Sequence, residues 1–141
     1  MKFFELYPEV AGGWGENTQF TRTPGQPVVV HQLHYRFDGW LGDELLKTSR
    51  CYIVTDRLAD GIRKKSLSGY SFRPVEISTS EQFREFYPDR ILPAFAWLNI
   101  TGKAGVDDFR LQPNGRLVVS QPAFDVIKAT QLDHCEVIDF E

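Results

Sequence analysis

Residues 54–76 read VTDRLADGIRKKSLSGYSFRPVE, and residues 119–141 read VSQPAFDVIKATQLDHCEVIDFE. The two stretches align without a gap, and each has the pattern of a strand end, a capped helix, a turn and a second strand. A shared supersecondary unit and convergence on the same β-α-β pattern explain the match equally well. The pattern is therefore a possible internal β-α-β repeat. Matching positions include Thr55 with Ser120, Asp60 with Asp125, Ile62 with Ile127 and Arg63 with Lys128.

Strand-like segments outnumber helical ones over the rest of the chain. We expect strands near residues 2–7, 28–37, 50–55, 70–77, 94–100 and 135–140. We expect helices near residues 56–66, 80–87 and 121–130, the second with capping-box spacing from Ser78 to Glu81 and from Thr79 to Gln82. The turn Asn114-Gly115 between residues 108–112 and 116–120 predicts a hairpin. Because strands and helices do not alternate regularly, the fold class is α+β: a mixed or antiparallel sheet with two to four helices packed on it.

The composition is that of one globular domain. The chain has 141 residues and a formal charge of −3, with 19 acidic and 16 basic side chains. A chain of this length buries about two-thirds of its unfolded surface, so residues 1–141 are expected to form a single domain in which residues 8–27 are a Gly/Pro-rich loop. Direct nucleic-acid binding is disfavoured because it normally requires a basic excess. Without an apolar run of membrane-spanning length or a signal peptide, the expected location is the cytoplasm.

The chain has no recognisable catalytic, cofactor-binding or metal-binding motif. His31 and His34 lie three apart on an expected strand, so their side chains point to opposite faces and are poorly placed to share a metal. Cys51 and Cys135 lie in or beside apolar runs and are expected to be buried free thiols, with a disulfide between them as the alternative. We therefore predict no catalytic residue, no cofactor and no metal.

Two acidic pairs and two tryptophans are the candidate partner-binding residues. Asp43-Glu44 and Asp107-Asp108 each begin an expected element, and Asp43 is a candidate helix N-cap. Such pairs serve in capping and solvation, in presenting an acidic surface to a basic partner, or in an enzyme site. Trp14 and Trp40 lie beside glycines in expected turns, where a tryptophan either folds back onto the core or anchors a protein interface.

Several segments together resemble the small immunity proteins encoded beside bacterial polymorphic toxins. The resemblance covers roughly residues 39–141. The segments that carry it are residues 39–46 (GWLGDELL), 52–58 (YIVTDRL), 67–70 (LSGY), 72–75 (FRPV), 92–98 (LPAFAWL), 105–109 (GVDDF) and 117–120 (LVVS).

The resemblance implies an α+β protein that binds and neutralises a cognate toxin, encoded by an adjacent gene, through a protein–protein interface. It implies no catalytic residue, no membrane partner and no direct nucleic-acid partner. Two alternatives remain open from the residues themselves. One is a small cytoplasmic enzyme that uses a carboxylate pair such as Asp107 and Asp108. The other is a structural or assembly subunit that self-associates through an exposed strand edge or apolar patch.

Overall fold

The computed structural model describes residues 2–140, so Met1 and Glu141, the last residue of the second repeat stretch, lie outside it. The strands in that range are β1 (Phe3–Tyr7), β2 (Gly12–Trp14), β3 (Gln19–Thr21), β4 (Val29–Phe37), β5 (Leu45–Thr48), β6 (Cys51–Thr55), β7 (Tyr70–Arg73), β8 (Val75–Thr79), β9 (Phe95–Ile100), β10 (Phe109–Leu111), β11 (Leu117–Ser120) and β12 (Glu136–Phe140). The helices are α1 (Asp56–Arg63), α2 (Glu81–Phe86) and α3 (Gln121–Lys128). Within residues 2–140, none of these helices has the length and apolar character needed to cross a bilayer.

The strands of residues 2–140 form three sheets, although the sequence pattern predicts a single mixed or antiparallel sheet. The central sheet has the order β5-β6-β9-β7, and the terminal sheet has the order β10-β11-β1-β12. All neighbouring strands in these two sheets are antiparallel. In the outer sheet, β4 pairs with β2, β3 and β8, and only the pairing with β8 is parallel. The α+β class is confirmed, with strands predominating.

Both repeat stretches form the expected strand–helix–strand unit. In the first, α1 connects β6 to β7, and in the second, α3 connects β11 to β12. The two strands of each unit are parallel but not adjacent, because β9 lies between β6 and β7 and β1 lies between β11 and β12. A hairpin strand, β5 or β10, precedes each unit and lies at the edge of its sheet. The central and terminal sheets therefore share one topology, although their inserted strands come from different parts of the chain.

Equivalent side chains begin and flank the two repeat helices. Thr55 and Ser120 are the N-caps, and their hydroxyl oxygens accept hydrogen bonds from the backbone N–H of the third residue of each helix at 3.2 and 3.3 Å. Asp60 pairs with Arg63 at 3.0 Å, and its counterpart Asp125 pairs with Lys128 at 3.2 Å. The helices contact each other where Gly61 faces Val126, which are also aligned positions. The match between the two stretches is thus structural as well as sequential.

Strand β6 explains why the core has two parts. All five of its residues are buried, and alternate side chains point to opposite sides of the central sheet. Tyr52 and Val54 pack into a cluster with α1, α3 and the terminal sheet. Cys51 and Ile53 pack into a second cluster with β4 and α2. A strand covered on both faces has a nearly continuous apolar sequence, as residues 51–54 (CYIV) show.

Several local expectations are confirmed, and others are corrected. The hairpin at residues 108–120 forms, and Gly115 at its turn has a φ of +84°. Helix α2 is capped by Ser80 instead of Ser78 or Thr79.

Residues 45–48, expected to follow a helix N-cap, form strand β5, because burial and pairing with β6 outweigh their helix propensity. The expected loop at residues 8–27 includes the short strands β2 and β3. Pro74 divides residues 70–77 into β7 and β8.

The cysteines are both free. Cys51 is buried, and burial raises the pKa of its thiol to about 12. Cys135 is half-buried beside β12, and burial raises the pKa of its thiol to about 11. Both thiols therefore remain protonated near neutral pH and are poor nucleophiles.

Gly69, the residue directly before β7, lies so close to the carbonyl of Phe109 that a side chain does not fit there. Its φ is +93°, and a Cβ at this position would overlap the Phe109 carbonyl oxygen and approach the Cα of Gly102 to 3.0 Å. We expect Gly69→Ala to lower the free energy of unfolding by about 3 kcal/mol or more, because a backbone clash adds to the strain of the positive φ. Urea denaturation measures this loss.

Gly105→Ala is the matched control for Gly69→Ala. Gly105 has a similar φ of +70°, but no atom lies within 4 Å of its Cβ position. The control isolates conformational strain, which costs about 1–2 kcal/mol. Equal losses in the two variants would contradict a steric requirement at Gly69.

Candidate protein-binding surface

Exposed apolar side chains line a depression of about 330 Å³ at the end of the outer sheet where β2 begins and β4 ends. Val10, Leu41 and Tyr87 line it and are 65%, 59% and 39% exposed. They come from three separate places: the β1–β2 connection, the β4–β5 connection and the end of α2. Phe86 and Ile91, in the neighbouring segment of chain, are also exposed. We call the cavity, with the exposed side chains of Val10, Leu41 and Tyr87, the apolar depression.

The two loops beside the apolar depression are held by the buried carboxylate of Glu9. One carboxylate oxygen accepts a hydrogen bond from the backbone N–H of Leu41 at 2.7 Å, and the other accepts one from the N–H of Asp43 at 3.3 Å. Hydrogen bonds from backbone N–H groups to a buried carboxylate are charge-assisted and strong. The position of Leu41 is therefore fixed before any partner binds.

A second set of hydrogen bonds joins the same loops through Ala11 and Tyr35. The Ala11 carbonyl accepts from the N–H groups of Asp38 and Gly39 at 2.8 and 3.2 Å. The Tyr35 hydroxyl accepts from the Ala11 N–H at 3.0 Å and donates to the Lys47 carbonyl at 2.9 Å. Burial raises the pKa of Tyr35 well above its usual range, so this hydroxyl keeps the proton that it donates.

Trp40, one of the sequence-based candidates, lies on the wall of the depression. Its indole N–H donates to the Asp43 carbonyl at 2.9 Å, and its ring meets that of Phe95 edge-on at 6.1 Å. The Arg90 guanidinium lies over the Trp40 ring, 4.6 Å from its centre. Trp40 is thus half-buried and supports the depression instead of projecting from it.

A polar cavity of about 500 Å³ adjoins the apolar depression and shares Asp38 with it. Its side chains come from the face of β4 and β8 opposite the core and from the start of α2. We call it the acidic basin because its carboxylates outnumber its guanidinium groups. The carboxylates belong to Glu16, Asp38, Glu76 and Glu81, and the guanidinium groups belong to Arg36 and Arg84.

His34 lies at the base of the acidic basin, against Ser78. Its Nδ1 accepts a hydrogen bond from the Asn17 N–H at 3.2 Å, and its Nε2 lies 2.7 Å from the Ser78 hydroxyl. Because Nδ1 is an acceptor, a neutral His34 carries its proton on Nε2 and donates it to Ser78. His34 in this tautomer cannot take a proton from Ser78, so the pair is not arranged as a nucleophile and its base. The predicted alternation of faces agrees with the burial of the two histidines, since His34 is buried and His31 is exposed.

Asp43 and Glu44 are buried and bind backbone groups. Asp43 is 0% exposed, and its oxygens accept from the N–H groups of Asp133 and His134 at 2.9 and 2.7 Å. Glu44 is 8% exposed and accepts from the Thr55 hydroxyl, the Gln131 N–H and the Arg57 guanidinium. With no exposed surface, Asp43 can contribute to binding only by positioning its loop.

The second acidic pair has the same local role in the other half of the molecule. Asp108 accepts from the Ser120 hydroxyl at 2.6 Å and from the Ser68 N–H at 2.9 Å. Asp107 accepts from the Lys103 N–H at 2.7 Å. Both aspartates belong to the loop before β10, so the structure does not bring them together with Trp40. No group of three or more His, Cys, Asp or Glu side chains among residues 2–140 has the geometry of a metal site.

Trp14 lies on β2 and packs against Phe20, with their ring centres 5.0 Å apart. It is half-buried over the second core cluster. Sequence reasoning did not select Val10, Leu41 or Tyr87. One signal was present for Val10 and Leu41: each lies in a short loop with a glycine within two residues, where no strand or helix periodicity assigns an apolar side chain to the core.

The pKa of Glu44 is set by opposing effects. Burial alone would raise it, but hydrogen bonds from Arg57, the Gln131 N–H and the Thr55 hydroxyl lower it below its usual value. A carboxyl group whose pKa is lower in the folded state stabilises the fold fully above the unfolded pKa, which is about 4.3. That contribution is lost as the pH falls through the folded pKa.

We expect Glu44→Gln to lower the free energy of unfolding at pH 7 by about 1–3 kcal/mol, because buried donors lose a charged acceptor. The difference from the wild type should be smaller at pH 3, below the unfolded pKa of about 4.3, because protonation of the wild-type carboxyl group progressively removes the charge as the pH falls towards the lower folded pKa. Urea denaturation at both pH values measures the difference in the free energy of unfolding. Glu85→Gln, at an exposed position of α2, is the control. An equal difference at both pH values would contradict a role for the charge.

Neither a model of a known protein family nor a curated protein sequence matches this chain.

Proposed function

We propose that this chain is a non-catalytic immunity protein that binds a cognate bacterial toxin and neutralises it. The observation that carries the proposal is the apolar depression, where Val10, Leu41 and Tyr87 stay exposed on loops held by hydrogen bonds. Contiguous exposed apolar surface in a water-soluble fold is typical of a protein–protein interaction site. The resemblance of residues 39–141 to immunity proteins of polymorphic toxin systems supplies the class of partner.

The construction of the depression suits tight binding to one partner. Its loops are held by Glu9, Ala11 and Tyr35, so little conformational entropy is lost when a partner orders the surface. Its lining combines the aliphatic and aromatic side chains of Val10, Leu41 and Tyr87 with the exposed carboxylate of Asp38, and protein interfaces likewise combine apolar and polar groups. An effective antidote requires a nanomolar or lower Kd, equivalent to about −12 kcal/mol. In this proposal the toxin is the product of an adjacent gene, and capture takes place in the cytoplasm.

We expect Leu41→Arg to weaken toxin binding by about 30-fold or more, because an unpaired cation would replace an apolar contact at the centre of the interface. Leu41 is more than half exposed, so the melting temperature should stay near that of the wild type. Calorimetric titration with the purified product of the adjacent gene measures the affinity, and survival of cells expressing that product measures neutralisation.

Val106→Arg is the matched control because Val106 is 75% exposed but lies in the loop between β9 and β10. It should leave the affinity unchanged. A wild-type chain that neither binds the neighbouring product nor protects against it would contradict the immunity function. Wild-type affinity in Leu41→Arg would instead place the interface elsewhere.

A further inference from the structure

We infer that the apolar depression and the acidic basin form one continuous docking surface for a basic segment of the partner, in which an apolar side chain is followed within a few residues by Arg or Lys. The inference rests on the proposed function, since it specifies the chemistry of the toxin segment that this chain binds. The apolar side chain would fill the depression, and the cation would enter the basin.

The continuity of the two cavities rests on Asp38, which lines both. Asp38 directly follows β4 and continues the alternation by which His34 and Arg36 line the basin at every second position. Its backbone N–H binds the Ala11 carbonyl, which fixes it at the boundary with the loop that carries Val10. A ligand seated between Val10 and Leu41 would therefore reach the first carboxylate of the basin without leaving the surface.

The charges of the basin favour a cation. Part of the charge is already satisfied within the protein: Glu76 accepts from the Asn17 amide at 3.0 and 3.1 Å and lies 3.8 Å from His34. Arg84 is directed to the Thr79 carbonyl and hydroxyl. Glu16, Asp38 and Glu81 are exposed, and with Glu76 they make four carboxylates against the two guanidinium groups of Arg36 and Arg84.

An apolar side chain followed by Arg or Lys matches the two parts of the surface, because the first suits the depression and the charged end of the second suits the basin. The stem of Arg or Lys packs along apolar side chains while its charged end reaches carboxylates. Opposite charge at the rim of an interface chiefly accelerates association, and this effect weakens as salt increases. A neutral apolar segment would gain nothing from the basin, and an acidic segment would be repelled by it.

Two double variants test the inference. For each, stopped-flow fluorescence at low and high salt measures the rate constant of association with the purified product of the adjacent gene. Glu16→Gln with Asp38→Asn removes two exposed carboxylates of the basin. Asp60→Asn with Glu136→Gln removes two exposed carboxylates outside it, on α1 and β12. We expect the basin variant to associate about threefold to tenfold more slowly at low salt, with a smaller difference at high salt, and the control to match the wild type.

The failure of this inference is distinguishable from failure of the proposed function. If the wild type binds and neutralises the toxin with an association rate that is independent of salt, or if the two double variants behave alike, the basic-segment inference is overturned and the immunity function stands. If the wild type does not bind, both are overturned. Sedimentation velocity addresses another occupant: a wild-type dimer that Leu41→Arg converts to a monomer would show that a second copy covers the depression, which would also overturn the inference.

Discussion

The hydrogen bond between a helix N-cap hydroxyl and a carboxylate is the interaction on which both halves of the fold depend. The Thr55 hydroxyl accepts the Leu58 N–H at the start of α1 and donates its own proton to Glu44 at 2.8 Å. Ser120 does the same at the start of α3, donating to Asp108. One hydroxyl thereby satisfies a helix N–H that would otherwise lack a partner and fixes the hairpin strand that precedes the unit.

The same carboxylates connect each half to the other. The second oxygen of Glu44 binds the Gln131 N–H, in the loop before β12, and the second oxygen of Asp108 binds the Ser68 N–H, in the loop before β7. Each unit thus holds the loop that leads into the last strand of its counterpart. This reciprocity explains why two sheets built from distant parts of the chain pack with a single cluster of side chains from α1 and α3 between them.

The sequence was sufficient for the features that depend on local chemistry. Strand β6, the Asn114-Gly115 hairpin and the capped helix in each repeat stretch follow from residue type and spacing. Strand β5 did not, because its pairing with β6 and its burial are tertiary effects. The apolar depression was also out of reach of local reasoning: Val10, Leu41 and Tyr87 lie far apart in sequence, and only the folded chain places them around one cavity.

The adjacent acidic pairs show how one local pattern can serve two purposes. Neighbouring side chains diverge, so one member of each pair reaches the helix N-cap while the other binds a nearby loop: Asp43 holds residues 133–134, and Asp107 holds Lys103. The structural use of these pairs also fixes the candidate surface indirectly. The carboxylate of Glu9 accepts hydrogen bonds from the N–H groups of both Asp43 and Leu41. The buried carboxylates therefore help to fix the position of the exposed Leu41. The buried carboxylates and the exposed apolar side chains therefore belong to one arrangement. Glu9 and Asp43 hold the loops, and Val10 and Leu41 are exposed on them.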